Sequence, residues 1–310
     1  MNETGLEHLV FAGNGMSGVA CVEELLKSGH IFDITIFGDE PHTNYDRTQL
    51  GSVLAGERDI DSITLNDIEW YQEHGIRTRL GIRIEEIDRL GRAVRSSDGD
   101  WTSYDKLILA VGSSPVIPAV EGCDKEGVFV FGTLDDTRKM IDAVSRDARV
   151  VVIGGWLAAE AARGLRKRGC DVVIVESGSL DRQLDSVIGN GRVEALRLRN
   201  GEVVAADLIV IATNLRPNTI LARDSGLEVN RGIVVNEHME TSDRNIFAIG
   251  GCTEHNGQTF ECFPPIQNQA KVLAANLVGA QRRGFTDLDT IFHNLAASPL
   301  TTGPGKRTYS

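Results

Sequence analysis

Leu9-Val10-Phe11-Ala12-Gly13-Asn14-Gly15-Met16-Ser17-Gly18-Val19 is the stretch that decides the fold. Four apolar residues read as a buried strand, and three glycines then turn the chain sharply. From Val19 to Ser28 the apolar spacing predicts a helix, with Gly29 as its stop. Asp33-Ile34-Thr35-Ile36-Phe37 predicts a second strand, which runs out at Gly38-Asp39-Glu40. Strand, glycine turn, helix, strand and terminal acid together make a βαβ nucleotide cradle. In it Gly13 permits the tight turn, Gly15 lets a diphosphate approach the backbone, and Gly18 lets helix and strand pack closely. The N–H groups at Asn14, Met16 and Ser17 then face the phosphates, assisted by the helix dipole. Asp39 or Glu40 is placed to accept from ribose hydroxyls.

Working outward, the chain repeats this unit. Val150 to Ile153 predicts a strand, Gly154-Gly155 a turn, Trp156 to Arg168 a helix closed by Gly169, and Asp171 to Val175 a strand ending in Glu176. Lys106 to Val111 and Asp207 to Ala212 are matching buried strands. Short alternating segments at 82–87 and 92–95 flank the turn Asp98-Gly99-Asp100. Asn245 to Gly251 forms a last strand motif, and Gln267 to Gly279 a last helix. Residues 297–310, rich in Ser, Thr, Gly and Pro, predict a flexible tail.

Composition narrows the function classes. A chain of 310 residues with 41% hydrophobic content is large enough for two cores. The formal net charge of −12 argues against nucleic-acid binding. It does not exclude anionic cofactors, which backbone N–H groups hold. The cysteines at 21, 123, 170, 252 and 262 are scattered, with no CxxC and no metal-ligand spacing. No metal site is expected, and thiols serving as packing residues suit a reducing cytoplasm. The first residues lack a signal peptide's basic region, and no apolar run is long enough for a bilayer, so no membrane association is expected.

Several pieces in order carry a resemblance: Val10 to Gly18, Ile36-Phe37-Gly38-Asp39-Glu40-Pro41, Tyr45-Asp46-Arg47, Tyr104 to Ile108, Thr133-Leu134-Asp135-Asp136, and Ile246 to Gly250. From about Leu9 to Gly279 the chain resembles the FAD/NAD(P)H reductase part of assimilatory nitrite reductase large subunits. It is similar, more broadly, to rubredoxin and ferredoxin reductases. The resemblance implies an α/β fold of two Rossmann-like dinucleotide-binding domains, the second inserted in the first and truncated. Residues 1–118 and 236–296 would form the FAD-binding domain, and 119–235 a shortened NAD(P)H-binding domain. It implies FAD and NAD(P)H as cofactors and a separate electron-acceptor protein or reductase subunit as partner, with a homodimer possible. Arg47 matches a motif near the flavin and Glu160 a glutamate near the nicotinamide; a surface ion pair and helix packing are their simpler roles. Ala110, Gly112, Gly250 and Gly251 fall on the FAD side. Gly154, Gly155 and Glu176 fall on the NAD(P)H side, where an acid at 176 favours NADH if it is more than a solvated strand end.

The departures from that family are specific. Relatives show three glycines before the tryptophan at the second cradle. Aligning Trp156 and Glu160 leaves one glycine missing; aligning Gly154 instead puts an indole where the diphosphate should approach. After Glu176 a helix and strand of the family are absent, which predicts a narrower sheet. Val111 replaces a threonine, Gly132 an arginine, Gly251 an acid that accepts from the ribityl chain, and Asn214 a glycine. Losing one charged hydrogen bond costs about 1.5–3 kcal/mol. The sequence holds no cysteine set for an iron–sulfur cluster and no sirohaem-type domain, so nitrite reduction would need a partner. A nucleotide-binding pseudoenzyme or regulatory module is the alternative reading.

Overall fold

The computed structural model describes residues 5–176, 184–260 and 265–279, and the backbone pairing of 308–309. The described chain divides into two compact units. One takes residues from 5–45, 64–113 and 216–279; the other takes 46–63 and 114–215, with 308–309. These limits differ from the expected ones at 216–235, which sit with the first unit, and at 46–63, a polar stretch whose helix Leu50–Leu54 packs on the second unit's helices.

The first unit is built on a parallel sheet in the order Ile246–Ala248, Lys106–Leu109, His8–Ala12, Asp33–Gly38, Arg77–Leu80. His8–Ala12 pairs with Asp33–Gly38 on one side and with Lys106–Leu109 on the other, so every residue of this central strand is buried. That double burial explains its unbroken apolar run. Helix Met16–Lys27 turns Gly18, Cys21, Val22 and Leu25 inward and packs against helix Ile266–Leu277. Its C-cap is Ser28, followed by Gly29 at φ +74°. An antiparallel sheet of Ile84–Asp88, Ala93–Ser96 and Trp101–Ser103 and a small sheet around Thr253–His255 complete the unit. One contiguous core holds Phe11, Val22, Ile36, Tyr71, Leu107 and Phe247.

The second unit repeats the plan. Its parallel sheet runs Asp171–Glu176, Arg149–Gly154, Leu208–Ala212, Val128–Val130, with an antiparallel sheet of Leu184–Ile188, Ala195–Leu198 and Val203–Ala205. Helices Leu134–Ala143 and Trp156–Lys167 belong to it, the former closed by a capping box between Thr133 and Asp136. Matching the units strand for strand among the described residues, the edge position that Arg77–Leu80 holds in the first sheet is filled differently in the second. In its place Thr308 and Tyr309 pair in parallel with Ile174 and Val175. The expected flexible tail is corrected to that extent: these two residues are ordered by free edge hydrogen-bonding groups of the neighbouring strand. The rest of 297–310 lies outside the described residues.

At the end of the first sheet where the parallel strands begin, a polar cluster ties three strands together. His8 is only 6% exposed. Its Nε2 lies 2.9 Å from Thr35 Oγ1 and 3.2 Å from Arg77 Nη2, while Arg77 also pairs with Asp33 at 2.6 Å. A guanidinium only donates, so Nε2 is the acceptor and the ring proton sits on Nδ1. Burial, ahead of the opposing pull of Asp33, holds His8 below the ordinary histidine value.

Candidate functional site

The first bend has the geometry of a diphosphate cradle. Gly13 sits at φ +120°, and a Cβ there would collide with the Ala110 carbonyl oxygen. Its N–H donates to Phe37 O at 2.8 Å, locking the turn between two strands. Gly18 is equally confined: a Cβ there would lie 2.8 Å from Gly13 O and 3.1 Å from Ala110 Cβ. Gly15 differs, because nothing stands within 4 Å of where its Cβ would be. It is also the N-cap of helix Met16–Lys27 and has no side-chain cap. The helix N-terminus, with Met16 and Ser17 in its first turn, therefore opens onto free space at the one glycine of this bend's three where a Cβ would meet nothing. Such an end attracts phosphate.

Side chains brace the bend. Asn14 accepts from the Tyr71 hydroxyl at 2.8 Å through Oδ1, and its Nδ2 reaches His42 O at 3.4 Å. Tyr71 is fully buried, and burial pushes its phenol up to about 12. Of the two acids at the strand end, Asp39 is exposed, while Glu40 is half-buried and accepts from the Tyr45 hydroxyl at 2.7 Å. Ala110 is the floor under Gly13; Gly112, at φ +64°, accepts from the Asn218 N–H at 3.0 Å.

Gly250 and Gly251 belong to the same unit. A Cβ on Gly250 would strike Ser17 Oγ, so this turn lies against the first turn of the helix. Gln269, fully buried, accepts from Gly250 N–H at 2.9 Å, and Thr253 Oγ1 donates to Gly250 O at 2.7 Å. Nothing in the sequence pattern marked Gln269, whose importance lies in where its amide points. A Cβ on Gly251 would stand 2.9 Å from Ser113 Oγ, a hydroxyl that can rotate away, and its φ is not in the left-handed region. A Cβ at this buried position is therefore admitted only if the Ser113 hydroxyl rotates away.

Beside the bend lies a cleft of about 390 Å³, which the sequence did not reveal. Met16, Ala20, Leu65 and Ile266 give it apolar walls, and Glu23, Asn44, Gln267 and Asn268 give it polar ones. The uncapped N-terminus of helix Ile266–Leu277 contributes Ile266 and Gln267.

The second bend follows the first with one residue fewer. Gly154, at φ +148°, is wedged against the Ala212 carbonyl as Gly13 is against that of Ala110. The N-cap is Gly155, so a single step separates the confined glycine from the cap, against two steps from Gly13 to Gly15. The buried helix positions Ala158, Ala161, Ala162 and Leu165 follow the spacing of Gly18, Cys21, Val22 and Leu25. Trp156 is therefore the counterpart of Met16 and Gly155 that of Gly15; the residue without a counterpart is Asn14. The alternative that puts Trp156 at the diphosphate-approach glycine is corrected by this helix register. The indole is 41% exposed.

Around this bend, Glu176 is exposed and pairs across the sheet with Gly154. Glu160 lies against helix Leu50–Leu54, its Oε2 2.7 Å from where a Cβ on Gly51 would be and 3.6 Å from Arg163 Nε. Arg47 donates to Gly132 O at 2.9 Å, while Asp46 caps the turn through Thr48 N at 2.9 Å. A side chain on Gly132 would press on Pro115 Cγ at 3.1 Å. Arg47, Gly132 and Glu160 thus fall in the second unit.

Among the described residues there is no cluster of three His, Cys, Asp or Glu able to hold a metal, and no helix long and apolar enough to cross a membrane. Described cysteines 21, 123, 170 and 252 are free thiols, and burial raises the pKa of each.

Comparison with known proteins points the same way. The profile of the family described as pyridine nucleotide-disulphide oxidoreductase matches residues 7–181 and 179–271. The assimilatory nitrate reductase electron transfer subunit of Bacillus subtilis (strain 168) is 40% identical over 302 residues, covering 88% of this chain and 39% of that protein. The nitrite reductase (NADH) large subunit of Escherichia coli (strain K12) is 33% identical, covering 88% of this chain and 36% of that one. The chain thus spans just under two fifths of the length of these relatives. The crystal structure of a covalent putidaredoxin reductase–putidaredoxin complex superposes with a TM-score of 0.83 at 28% identity, covering 89% of this chain and 76% of that one.

Proposed function

This chain belongs to the pyridine nucleotide-disulphide oxidoreductase family, and from that premise we propose that it is an FAD-dependent NAD(P)H oxidoreductase delivering electrons to a separate acceptor protein. The observation that carries the reading is the first bend, with its open Gly15 at an uncapped helix N-terminus and its confined Gly13 and Gly18. These residues fit a dinucleotide diphosphate: backbone N–H groups at Asn14, Gly15, Met16 and Ser17 would hold it, and Glu40 or Asp39 would take the ribose hydroxyls. The turn at Gly250 and Gly251 would face the chain linking diphosphate to flavin. FAD, when bound, supplies a group that accepts a hydride and gives up electrons singly.

NADH is the donor proposed for the second bend. Gly155 and the N–H groups of Trp156 and Leu157 retain a helix N-terminus for its phosphates, and Glu176 sits at the strand end where an acid disfavours a 2′-phosphate. The shortened turn offers one backbone N–H fewer than the first bend, so nicotinamide binding is the weaker of the two. A pseudoenzyme reading loses ground because the helix register behind Trp156 is intact. The acceptor is a separate redox protein: the relative from Bacillus subtilis is itself an electron transfer subunit, and the structural neighbour is a reductase joined to putidaredoxin. The cytoplasm is the compartment we assign, since the described thiols are all unpaired.

The test is an absorbance spectrum of purified protein supplied with FAD, before and after anaerobic NADH. A bound-flavin spectrum that bleaches is expected, followed by turnover with ferricyanide. Protein that takes up no FAD overturns the reading; bound flavin that NADH leaves oxidised supports the regulatory alternative instead.

A further inference from the structure

Asp39 and Glu40 both follow the strand Asp33–Gly38, but they are not held alike. The loop that carries Glu40 is tied to the first bend on either side of it. A Cβ on Gly38 would come within 3.0 Å of Asn14 Cβ, and Asn14 Nδ2 donates to His42 O at 3.4 Å. The Glu40 backbone is fixed as well, its carbonyl accepting from Gly81 N–H at 3.0 Å. Glu40 is half-buried, and its Oε2 accepts from the Tyr45 hydroxyl at 2.7 Å. Asp39 is exposed.

Tyr45 is a rigid donor. It is only 6% exposed, so its ring is packed away from water. Its backbone pairs antiparallel with Thr64, and beside it Asn44 O accepts from Leu65 N–H at 2.9 Å. A phenol so fixed makes a charge-assisted hydrogen bond to a carboxylate and confines the long acidic side chain to one arrangement. A free glutamate loses rotamer freedom when a ligand orders it. Here the fold has ordered it beforehand, which leaves more of the contact energy for binding. A carboxylate has about four lone-pair sites, enough for a phenol together with two vicinal hydroxyls. An exposed acid at position 39 offers a ligand no such preparation.

We propose that Tyr45 is a positioning residue for the adenosine ribose: by holding the Glu40 carboxylate it makes Glu40, and not Asp39, the acceptor of the ribose hydroxyls. The proposal rests on the FAD reading above and deepens it, adding how one of two adjacent acids is selected. Glu40 is the binding residue in it, and Tyr45 acts through Glu40.

Apoprotein is titrated with FAD and with FAD whose adenosine lacks the 2′- and 3′-hydroxyls, and both affinities are read by flavin fluorescence quenching. Wild-type protein is expected to bind the dideoxy flavin about tenfold more weakly than FAD. In Tyr45→Phe, which keeps the packed ring, FAD should weaken by about threefold or more while the dideoxy flavin binds as in wild type, so the ratio shrinks. A merely structural tyrosine would weaken both flavins alike, and an unchanged ratio would overturn the proposal. Glu40→Ala should bring the ratio to about one, and Asp39→Ala should leave it near about tenfold; the reverse pattern would overturn the proposal without recourse to a Tyr45 variant. Equal wild-type affinities for the two flavins would also overturn it while leaving the FAD reading intact. Wild-type protein that takes up neither flavin would sink the FAD reading and the proposal together.

Discussion

At the residue scale, the two glycines of the first bend do different work, and substitution separates them. Gly13→Ala places a methyl against Ala110 O at φ +120°. It is expected to destabilise the fold by about 2–3 kcal/mol as well as weaken FAD. Gly15→Ala meets no atom, so its stability cost stays near the ~0.5–1 kcal/mol of a poorer helix cap, yet it should lower FAD affinity because the methyl occupies the approach to the backbone. Denaturant titration and flavin fluorescence read the two effects separately. Gly251→Asp works in the opposite direction. Once the Ser113 hydroxyl rotates out of the way of the new Cβ, restoring an acceptor for the ribityl hydroxyls should tighten FAD by about tenfold or more; an unchanged affinity would show that the ribityl chain lies elsewhere. The glycines were legible because each obeys a local rule of spacing. Asn44, Asn66 and Gln269 were not, since a polar side chain's burial depends on partners 19 to 43 residues away, such as Gly250 for Gln269 and Glu23 for Asn66.

At the element scale, the strands and helices around the two bends were readable, because buried parallel strands are short apolar runs and both bends carry glycine. Helix Leu134–Ala143, strand Arg77–Leu80 and the sheet of Leu184–Ile188, Ala195–Leu198 and Val203–Ala205 were not, and the internal adjustment of elements escaped as well. The shortened second turn supported two alignments until the buried face Ala158, Ala161, Ala162 and Leu165 chose one. Inserting one residue between Gly154 and Gly155 should therefore restore the counterpart of Asn14 and lower the KM for NADH by about tenfold, the worth of one added hydrogen bond to phosphate. Steady-state kinetics with ferricyanide checks this; a KM that rises would show that the short turn is already fitted to its ligand. The first sheet carries a pH response. His8 is held below the ordinary histidine value by burial, so the unfolded chain takes the proton first as pH falls. The stability tied to neutral His8 is complete above about 6.5, the unfolded value, and is lost as pH drops from there toward the lower folded value. Protonation would also set an imidazolium beside Arg77. Denaturant unfolding between pH 8 and pH 5 should show wild type losing more stability than a His8→Gln variant.

At the scale of the whole molecule, the chain reads as one supersecondary plan used twice, and the family profile covers both uses. The division into units was less legible. Residues 46–63 sit with the second unit although the chain around them belongs to the first. No composition shift announces this, because the segment is placed by a few packed residues: Leu54 against Gly164, and Arg163 against Glu57 at 2.8 Å. If each unit holds its own nucleotide, ligands should stabilise them selectively. At a hundred times its dissociation constant, a ligand adds about 2.7 kcal/mol to the unit that binds it. Hydrogen exchange with FAD should protect the central strand His8–Ala12, and with NADH the strand Arg149–Gly154. Protection of both by FAD alone would contradict separate sites.

The lost residue of the second turn also bears on how such a molecule drifts over generations. The helix behind it keeps its inner face of Ala158, Ala161, Ala162 and Leu165, so the shorter turn leaves that packing in place. On the proposed reading, one in-frame codon, gained or deleted, would separate a tight hold on the reductant from a loose one without disturbing the helix face behind the turn.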